Sequence, residues 1–436
     1  MKWIILGTGK SGLGAKAYLE SKGEQVFLFD DNVPNLPASL QTKVISNRED
    51  PIFEERELRF VVSPGFPPSH PLLMLAKGKN IPVLSEIDLA LEHYSGHLIA
   101  ITGTNGKSTT VMMIGHLLKA LQLDYKVGGN IGIAASSLML DRSPQYLVLE
   151  LSSYQIEDSR PIKPKVAVLT GIAPDHLLRH GSLKNYLASK WRLFEYQNAH
   201  DFAVIESSAF HQAQDSFQFP KPRAEVSLVS SALAKEKTGS LAFRWDHDHL
   251  NAYFALMAVS KATGRSFGSL VPLLTKFRGL PYRCEIIGEL GPWKIINDSK
   301  GTNVDSTIHA LSNIQGKITL LLGGLEKGGS FLEILKFKNQ INLIVTFGQA
   351  ASKLNSEFAS EIPTRSYKTL AEAMLNIRQF LEELKGDLIF SPACASQDEF
   401  TDFEARGFYF TEHVHSALTT LKGGKCYEPI TNLEKS

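Results

Sequence analysis

Cysteine is scarce in this sequence. Among 436 residues the three cysteines are Cys284, Cys394 and Cys426, and no two of them form a Cys-x-x-Cys pair. Isolated cysteines argue against a disulfide framework and do not support a zinc site. We therefore expect a protein of a reducing compartment, and the cytoplasm is the predicted location.

An excess of charge and a long apolar run are also missing. Lysine and arginine number 46 against 45 aspartates and glutamates, which leaves a formal net charge of +1. Such a balance indicates neither a nucleic acid nor a membrane surface as partner. No apolar run is long enough to span a bilayer, and no signal-peptide core precedes the strand-like Ile4-Ile5-Leu6. We expect a monomer that acts on small molecules and does not insert into membranes.

A glycine loop with a lysine and hydroxyls is the most informative stretch that is present. A short apolar run ends at Ile101, the loop residues Gly103, Gly106 and Lys107 follow, and residues Ser108 to Leu123 have helical spacing. Glycines let backbone N–H groups approach a phosphate, lysine adds charge, and the serine hydroxyl can hold Mg²⁺. Ile101 stands where the general phosphate-loop pattern has its first glycine. The stretch predicts phosphate binding, and a glycine turn that only opens a helix is the alternative.

A second glycine pattern lies near the start of the chain. Gly7, Gly9 and Gly12 have the spacing of the dinucleotide fingerprint, and Asp30 ends the following strand, where such folds place the acid that meets a ribose. The pattern predicts a nucleotide-like ligand without separating NAD from a UDP-sugar. A tight strand-to-helix turn with no ligand is the alternative.

Polar residues follow two further apolar strands of the middle region. Glu150 ends the strand that begins at Tyr146, and a buried carboxylate is costly unless it is paired or meets a metal, so Mg²⁺ ligation is favoured. The strand ending at Thr170 leads to His176, and the next helical segment contains Lys190. His176 alone would be a surface or capping histidine. Beside Glu150 and the phosphate loop it becomes a candidate second-metal or phosphate contact.

The alternation of strands and helices predicts parallel α/β sheets, and the length favours about three domains. We predict a Rossmann-like domain over 1–94, a central phosphate-loop domain over 95–279 and a second Rossmann-like α/β domain over 280–436. Residues 206–241 are polar and weakly patterned, and they predict hairpins or surface loops. In the last domain, five polar residues follow the carboxyl ends of strands, where they are predicted to share one rim of the sheet. The alternative is that each lies in a solvated loop. These residues are Asp298, Lys300, Thr302, Lys327 and Ser396.

Six motifs resemble the Mur ligase family, and together they cover the chain in order. They are Thr102-Gly-Thr-Asn-Gly-Lys-Ser-Thr109, Glu150-Leu-Ser-Ser-Tyr-Gln155, Pro174-Asp-His176, Gly279-Leu-Pro-Tyr-Arg283, Asn297-Asp-Ser-Lys-Gly-Thr-Asn303, and Ser391-Pro-Ala-Cys-Ala-Ser396 with Phe403-Glu-Ala-Arg-Gly407. The last motif favours a member that adds D-glutamate. The absence of an Asp-Asn-Pro-Arg run disfavours members that add diaminopimelate or lysine.

The resemblance implies an ATP-dependent ligase that joins D-glutamate to UDP-N-acetylmuramoyl-L-alanine through an acyl phosphate, with two Mg²⁺ ions. The implied catalytic residues are Lys107, Glu150, His176, Lys190 and Lys300, with Ser108, Glu150, His176 and a carbamylated Lys190 as metal ligands. The implied ATP contacts are Gly103, Thr104, Asn105, Gly106, Lys107, Ser108, Thr109, Asn251, Arg283 and Asp298. The implied contacts with the other substrates are Lys10, Ser11, Asp30, Gly65, Asn130, Thr302, Lys327, Ser396 and Phe403.

Three positions depart from the family pattern, and other functions stay open. Asp248 replaces an asparagine beside the adenine, Leu178 replaces an aspartate, and Gly301 replaces an alanine. A different Mur-type or folylpolyglutamate-type ligase is the nearest alternative. A NAD-dependent oxidoreductase would explain only the glycines at 7–12, and a nucleotide switch without catalysis would explain only the phosphate loop.

Overall fold

A computed structural model describes residues 1–30, 51–55, 57–64, 66, 69–241, 246–312, 314–326, 328, 330–428 and 430. The chain forms two compact units, Met1–Phe277 and Arg278–Ser436. The first unit contains two sheets and the second contains one. Each of the three sheets lies within one of the three predicted domain ranges, and the domain boundaries themselves stay a prediction.

The first sheet has four parallel strands in the order β2-β1-β3-β4. Its strands are β1 (Lys2–Leu6), β2 (Gln25–Phe29), β3 (Leu58–Val62) and β4 (Val83–Ser85). Its helices are α1 (Lys10–Ser21), α2 (Pro71–Gly78) and α3 (Glu86–Leu91), with a 3-10 turn at Pro51–Glu54. A Cβ on Gly12 would lie 1.9 Å from the carbonyl oxygen of Gly7, so the fingerprint glycines let α1 start close against β1.

The second sheet has six parallel strands in the order β10-β9-β8-β5-β7-β6. Its strands are β5 (His97–Thr102), β6 (Tyr125–Gly129), β7 (Tyr146–Glu150), β8 (Val166–Leu169), β9 (Phe202–Glu206) and β10 (Glu225–Val229). Its helices are α4 (Lys107–Ala120), α5 (Ser153–Asp158), α6 (Leu177–His180), α7 (Leu183–Glu195), α8 (Ser207–His211), α9 (Ser231–Thr238), α10 (Asp246–Thr263) and α11 (Phe267–Leu270). Short 3-10 turns lie at Ser137–Met139 and Val271–Lys276, and a π turn lies at Gln212–Ser216.

Both faces of strand β5 are buried. Leu98 and Ala100 pack into one core, which also includes Trp3 of the first sheet, whereas Ile99 and Ile101 pack into the core beneath α4 and α10. Alternate residues of a strand face opposite sides, so a fully apolar run is what a strand covered on both faces requires. The phosphate loop therefore starts from a strand that is covered on both faces.

The third sheet has seven strands in the order β15-β14-β13-β16-β12-β11-β17. Its strands are β11 (Glu285–Leu290), β12 (Trp293–Asn297), β13 (Ile318–Gly323), β14 (Ile341–Phe347), β15 (Thr364–Ser366), β16 (Asp387–Ala393) and β17 (Gly424–Cys426). Its helices are α12 (Val304–Ser312), α13 (Ala351–Phe358), α14 (Leu370–Leu375), α15 (Ile377–Glu382) and α16 (Phe403–Leu418), with a 3-10 turn at Leu332–Phe337. The pairs of β11 with β12 and β17 are antiparallel and the others are parallel.

The predicted α/β class with parallel sheets is confirmed, and one local prediction is wrong. Residues 206–241 do not form hairpins, because they contain α8, α9 and β10, which pairs parallel with β9. Strand β10 is an edge strand whose residues are mostly exposed or half-buried, so its sequence carries little apolar alternation. Within the described ranges, no helix is long and apolar enough to cross a membrane.

Candidate active site

The glycines of the phosphate loop are required by close contacts. Gly103 has φ +144 and Gly106 has φ +80, the latter at the start of α4. A Cβ on Gly103 would lie 2.1 Å from Thr170 Oγ1, and a Cβ on Gly106 would lie 2.4 Å from Asn251 Oδ1. The loop is therefore packed against the end of β8 and against α10, where side chains at these two positions would not fit.

Two lysines converge on one carbonyl oxygen of this loop. Lys107 Nζ donates to the carbonyl oxygens of Gly103 at 3.0 Å and Thr104 at 2.7 Å. Lys190 Nζ, from α7, donates to the same oxygen of Gly103 at 2.9 Å. Lys190 is 1% exposed, and its burial, followed by the positive charge of Lys107, lowers its pKa well below the usual value. The structure thus brings a sequence-predicted metal ligand directly onto the phosphate loop.

Glu150 lies beside the start of the loop at the tip of β7. The register pairs it with Ile101, and it is 3% exposed. Asn130 Nδ2 donates to Glu150 Oε1 at 2.8 Å, and the backbone N–H of Asn130 donates to the carbonyl oxygen of Glu150 at 2.8 Å. The remaining loop residues are also held: Ser108 is buried, and the carbonyl oxygen of Asn105 accepts from Thr170 Oγ1 at 2.6 Å. Thr109 is half-buried in the first turn of α4.

His176 and Lys190 share an aromatic neighbour. Tyr186 has its ring centroid 6.2 Å from that of His176, and Lys190 Nζ lies 4.5 Å from the same ring. The hydroxyl of Tyr154 lies 3.0 Å from His176 Nδ1, and the backbone of His176 has φ +51. A non-glycine residue rarely adopts this conformation, which persists where surrounding contacts determine it. Leu178, two residues later, has a side chain outside the described part of the structure.

A cleft joins the glycine loop of the first sheet to the turn after β6. Its volume is about 280 Å³, and its walls include Lys10, Ser11, Asn130 and Gln155. Three of these were predicted as substrate contacts, whereas Gln155 was not. Gln155 Oε1 accepts from the backbone and hydroxyl of Ser152 at 3.0 Å each, so the sequence signal was the Ser-x-x-Gln capping box that opens α5.

Of the two other predicted substrate contacts of this region, the structure describes Asp30. Asp30 Oδ2 accepts from the backbone N–H of Thr8 at 2.8 Å and from its hydroxyl at 2.6 Å, so the carboxylate lies against the glycine turn. Gly65 is outside the described residues.

Near the phosphate loop, Asn251 is 5% exposed with Oδ1 3.5 Å from Thr110 Oγ1. Burial raises the pKa of Asp248, on the same helix, to about 7.

In the second unit, Asp298 is the centre of a buried polar group. Ser391 Oγ donates to its Oδ2 at 2.6 Å, and the backbone N–H of Cys284 donates to its Oδ1 at 3.2 Å. Burial raises the pKa of Asp298 to about 6, against the opposing effects of the hydrogen bonds and of the charge of Arg283. A Cβ on Gly301 would lie 2.5 Å from Asp298 Oδ2, which explains why glycine suits this chain where the resemblance expects alanine.

The other predicted residues of this unit lie on neighbouring loops. Lys300 Nζ is 4.4 Å from the ring centroid of Phe403, which opens α16. The backbone N–H of Thr302 donates to the carbonyl oxygen of Lys300 at 2.7 Å, and Ser396 is 1% exposed. Lys327 lies outside the described residues. Asp298 and Lys300 of the predicted rim thus lie on one loop, and Lys300 contacts Phe403, which the resemblance implies as a substrate contact.

Arg406 is a residue to which sequence reasoning gave no role. It is 1% exposed, and its guanidinium donates to the carbonyl oxygens of Ser299, Cys394 and Ala395 and to the hydroxyl of Ser299, at 2.9 to 3.1 Å. Burial lowers its pKa to about 10. Arg406 therefore joins the loop after β12 to the loop after β16. The sequence signal was its place in Phe403-Glu-Ala-Arg-Gly407, a part of the motifs that carry the family resemblance.

Among the residues that the structure describes, no three His, Cys, Asp or Glu side chains form a metal-binding cluster. Mg²⁺ commonly takes one or two protein oxygens and completes its shell with water and substrate phosphates. The buried carboxylate of Glu150 and the hydroxyl of Ser108 beside a phosphate loop are oxygen donors of that kind.

Comparison with known proteins finds the Mur ligase middle domain in residues 101–267. A UDP-N-acetylmuramoylalanine–D-glutamate ligase from Oenococcus oeni is 34% identical over 95% of this chain and 96% of its own length. The ligase of the same name from Cytophaga hutchinsonii is 32% identical over 95% of this chain and 98% of its own. Among solved structures, UDP-N-acetylmuramate-alanine ligase from Thermotoga maritima has a TM-score of 0.58 at 18% identity, with 96% of this chain and 100% of that chain covered. A MurF ligase from the same organism, in complex with ADP, has a TM-score of 0.56 at 17% identity, with 84% and 97% covered.

Proposed function

Because this chain belongs to the Mur ligase family, we propose that it is the ATP-dependent ligase that adds D-glutamate to UDP-N-acetylmuramoyl-L-alanine during peptidoglycan precursor synthesis. The observation that carries the proposal is the likeness to D-glutamate ligases over 95% of the chain. It covers the phosphate loop and the loops at Asp298 and Ser396 alike. The oxidoreductase and switch alternatives explain one loop each and leave the others without a role.

The first chemical step requires activation of a carboxylate by ATP. A carboxylate does not condense with an amine in neutral water, so an oxygen of the alanyl carboxylate attacks the γ-phosphorus, and the bond to the bridging oxygen of ADP breaks. Gly103, Thr104, Asn105, Gly106 and Thr109 line the loop that holds the phosphates. Lys107, already directed onto that loop, neutralises charge that develops during transfer.

Two Mg²⁺ sites complete the proposal for the first unit. Ser108 and Glu150 would hold one ion, and His176 with a carbamylated Lys190 would hold the other. When bound, these ions offset negative charge on the transferring phosphoryl group. Lys190 suits carbamylation because only a neutral amine reacts with CO₂, and burial beside Lys107 lowers its pKa. A carbamate would give this buried position a carboxylate-like oxygen.

The cleft beside Asn130 is the proposed path of the UDP-linked substrate. Lys10 and Ser11 would contact the sugar nucleotide, with Asp30 and Gly65 on the same substrate. Asn130 lines the cleft and donates to Glu150, so the peptide end of the substrate would lie toward the phosphate loop. The hydrogen bond between Asn130 and Glu150 links substrate binding to a proposed metal ligand.

The second unit would supply the amino-acid side of the reaction. We propose that Lys300, Thr302, Lys327, Ser396 and Phe403 bind D-glutamate, whose two carboxylates require cationic and hydroxyl donors. Arg283 and Asp298, with Asn251 of the first unit, would contact the adenine-ribose part of ATP. The amine of D-glutamate attacks the acyl phosphate, and the tetrahedral intermediate expels phosphate to leave the amide. We further propose that the protein is a cytoplasmic monomer.

Phosphate release tests the proposal. With ATP, Mg²⁺ and UDP-N-acetylmuramoyl-L-alanine, release is expected with D-glutamate and not with L-glutamate or diaminopimelate. Lys107→Ala should lower kcat by about a thousandfold, since it removes a group that stabilises transferred charge. Lys119→Ala, an exposed lysine at the other end of α4, is the matched control and should be unchanged. Activity with L-glutamate alone would overturn the substrate assignment, and calorimetric binding of NAD would favour the oxidoreductase.

A further inference from the structure

A turn at the start of the second unit holds two non-glycine residues in the left-handed conformation. Tyr282 has φ +60 and Cys284 has φ +47, and they flank Arg283. Residues that carry a side chain rarely adopt such a backbone conformation, and it persists where surrounding contacts determine it. The turn is therefore held in place by something other than local preference.

Two buried carboxylates hold this turn through its backbone. The N–H of Tyr282 donates to Glu285 Oε2 at 2.8 Å, and the N–H of Cys284 donates to Asp298 Oδ1 at 3.2 Å. Glu285 is 5% exposed and Asp298 is 7% exposed. Hydrogen bonds to ionised acceptors are stronger than neutral ones, so each left-handed residue is anchored by a charge-assisted contact.

The same turn is tied to other loops of the unit. The carbonyl oxygen of Tyr282 accepts from the backbone N–H of Lys300 at 3.1 Å. Helix α16 approaches so closely that a Cβ on Gly407 would lie 2.5 Å from the Tyr282 ring. A shift of the turn would therefore be transmitted to the loop that carries Asp298 and Lys300.

The second oxygen of Glu285 accepts a hydrogen bond from the carboxyl-terminal segment. Glu285 Oε1 accepts from the backbone N–H of Ile430 at 2.6 Å, and Ile430 Cδ1 lies 3.6 Å from the place of a Cβ on Gly279. One carboxylate thus bridges the turn and the carboxyl-terminal segment. No step of the reaction described above uses this group.

We propose that Glu285 is a positioning residue that fixes the turn over residues 279–285, so that Arg283 is presented to the nucleotide. The inference rests on the proposed function, because that function places Arg283 beside ATP. Glu285 acts through the backbone of Tyr282 and touches no substrate itself.

Glu285→Gln tests the proposal with almost no change of shape. A carboxylate accepts two N–H groups, whereas glutamine has one carbonyl oxygen and an NH₂ that faces the second donor. We expect the Kd for ADP, measured by calorimetry, to rise about tenfold as one charged hydrogen bond is lost. Asp387→Asn is the matched control, because Asp387 accepts the N–H of Lys294 at 2.9 Å at the other end of the sheet, and the Kd should stay unchanged.

A second-site change separates positioning from general stability. Ile430→Pro removes the competing N–H, which lets the glutamine oxygen of Glu285→Gln serve Tyr282 alone. We expect the double variant to bind ADP within about twofold of the unmodified protein, a coupling typical of groups in direct contact. Ile430→Ala keeps its N–H and should not rescue. Equal rescue by Ile430→Ala would overturn the proposal. It would also be overturned if Arg283→Ala raises the Kd for ADP while Glu285→Gln leaves that Kd unchanged.

Amide hydrogen exchange tests whether Glu285 fixes the turn over residues 279–285, independently of the ligase activity. In the protein without nucleotide, mass spectrometry of the peptide over 279–285 should show faster amide exchange in Glu285→Gln than in Asp387→Asn. Equal exchange would overturn the inference whatever the activity. Absence of D-glutamate-dependent phosphate release by the unmodified protein would instead refute the proposed function and leave this result standing.

Discussion

The phosphate loop of the first unit and the rim of the third sheet hold their functional groups in different ways. In the loop, Gly103 and Gly106 remove side chains so that the backbone can pack against Thr170 and Asn251. At the rim, the buried side chains of Arg406 and Asp298 bind the backbone of loops that are distant in sequence. The close packing of the loop therefore depends on the absence of side-chain atoms at Gly103 and Gly106, whereas the joining of the rim loops depends on buried charges with satisfied hydrogen bonds. The two sites should fail under different changes.

The largest effect is expected at Arg406. Arg406→Met would leave the carbonyl oxygens of Ser299, Cys394 and Ala395 without their guanidinium donor, and we expect the free energy of unfolding to fall by about 3 kcal/mol. Urea denaturation measures the loss. Arg378→Met, which breaks only the exposed pair with Glu382, should cost less than about 1 kcal/mol. Equal losses in the two variants would remove the contrast drawn for the rim.

A smaller effect, on binding and not on bulk stability, is expected at Gly106. In Gly106→Ala the new Cβ would lie 2.4 Å from Asn251 Oδ1 at φ +80, so the loop must shift. Strain of about 1–3 kcal/mol corresponds to a loss of about 5- to 150-fold in kcat/KM for ATP. Gly78→Ala, at an exposed helix end with no atom within 4 Å of its Cβ, is the matched control. Retained ATP kinetics in Gly106→Ala would contradict the packing argument.

The smallest effect is a pH dependence that arises at the rim. The pKa of Asp298 is raised from 3.8 to about 6, so the unfolded chain binds fewer protons there than the folded protein between these values. The contribution of Asp298 to stability therefore falls as pH rises through this window. We expect the stability difference between the unmodified protein and Asp298→Asn to decrease by about 2 kcal/mol from about pH 4.5 to about pH 6.5. A pH-independent difference in urea denaturation would show that Asp298 is not held as described.

Sequence reasoning found the phosphate loop because its groups are contiguous. Glycines, lysine and serine occupy adjacent positions between an apolar strand and a helix, and those bounds agree with β5 and α4. Such a signal needs no knowledge of tertiary structure. Lys190 was expected at the metal site, but its position on the carbonyl oxygen of Gly103 was not predictable, because 87 residues separate the two.

The rim could be predicted only in outline. Strand ends placed Asp298, Lys300 and Ser396 on one side of a sheet, but the contacts that hold them join residues far apart, such as Ile430 with Glu285. Spacing in the sequence does not predict such pairs. Glycine is the residue that usually indicates a left-handed backbone, and Tyr282 adopts this conformation without being glycine. Weak patterning also hid β10, an edge strand with little buried surface.

Isotope transfer tests the central claim, that ATP activates the substrate carboxylate before the amide forms. UDP-N-acetylmuramoyl-L-alanine labelled with ¹⁸O in its carboxylate would be incubated with ATP, Mg²⁺, D-glutamate and the protein, and the released phosphate analysed by mass spectrometry. The proposed mechanism predicts one ¹⁸O atom in each phosphate, because the oxygen that attacked phosphorus leaves with it. Phosphate without ¹⁸O, formed together with the amide, would contradict the acyl phosphate and the role given to the phosphate loop.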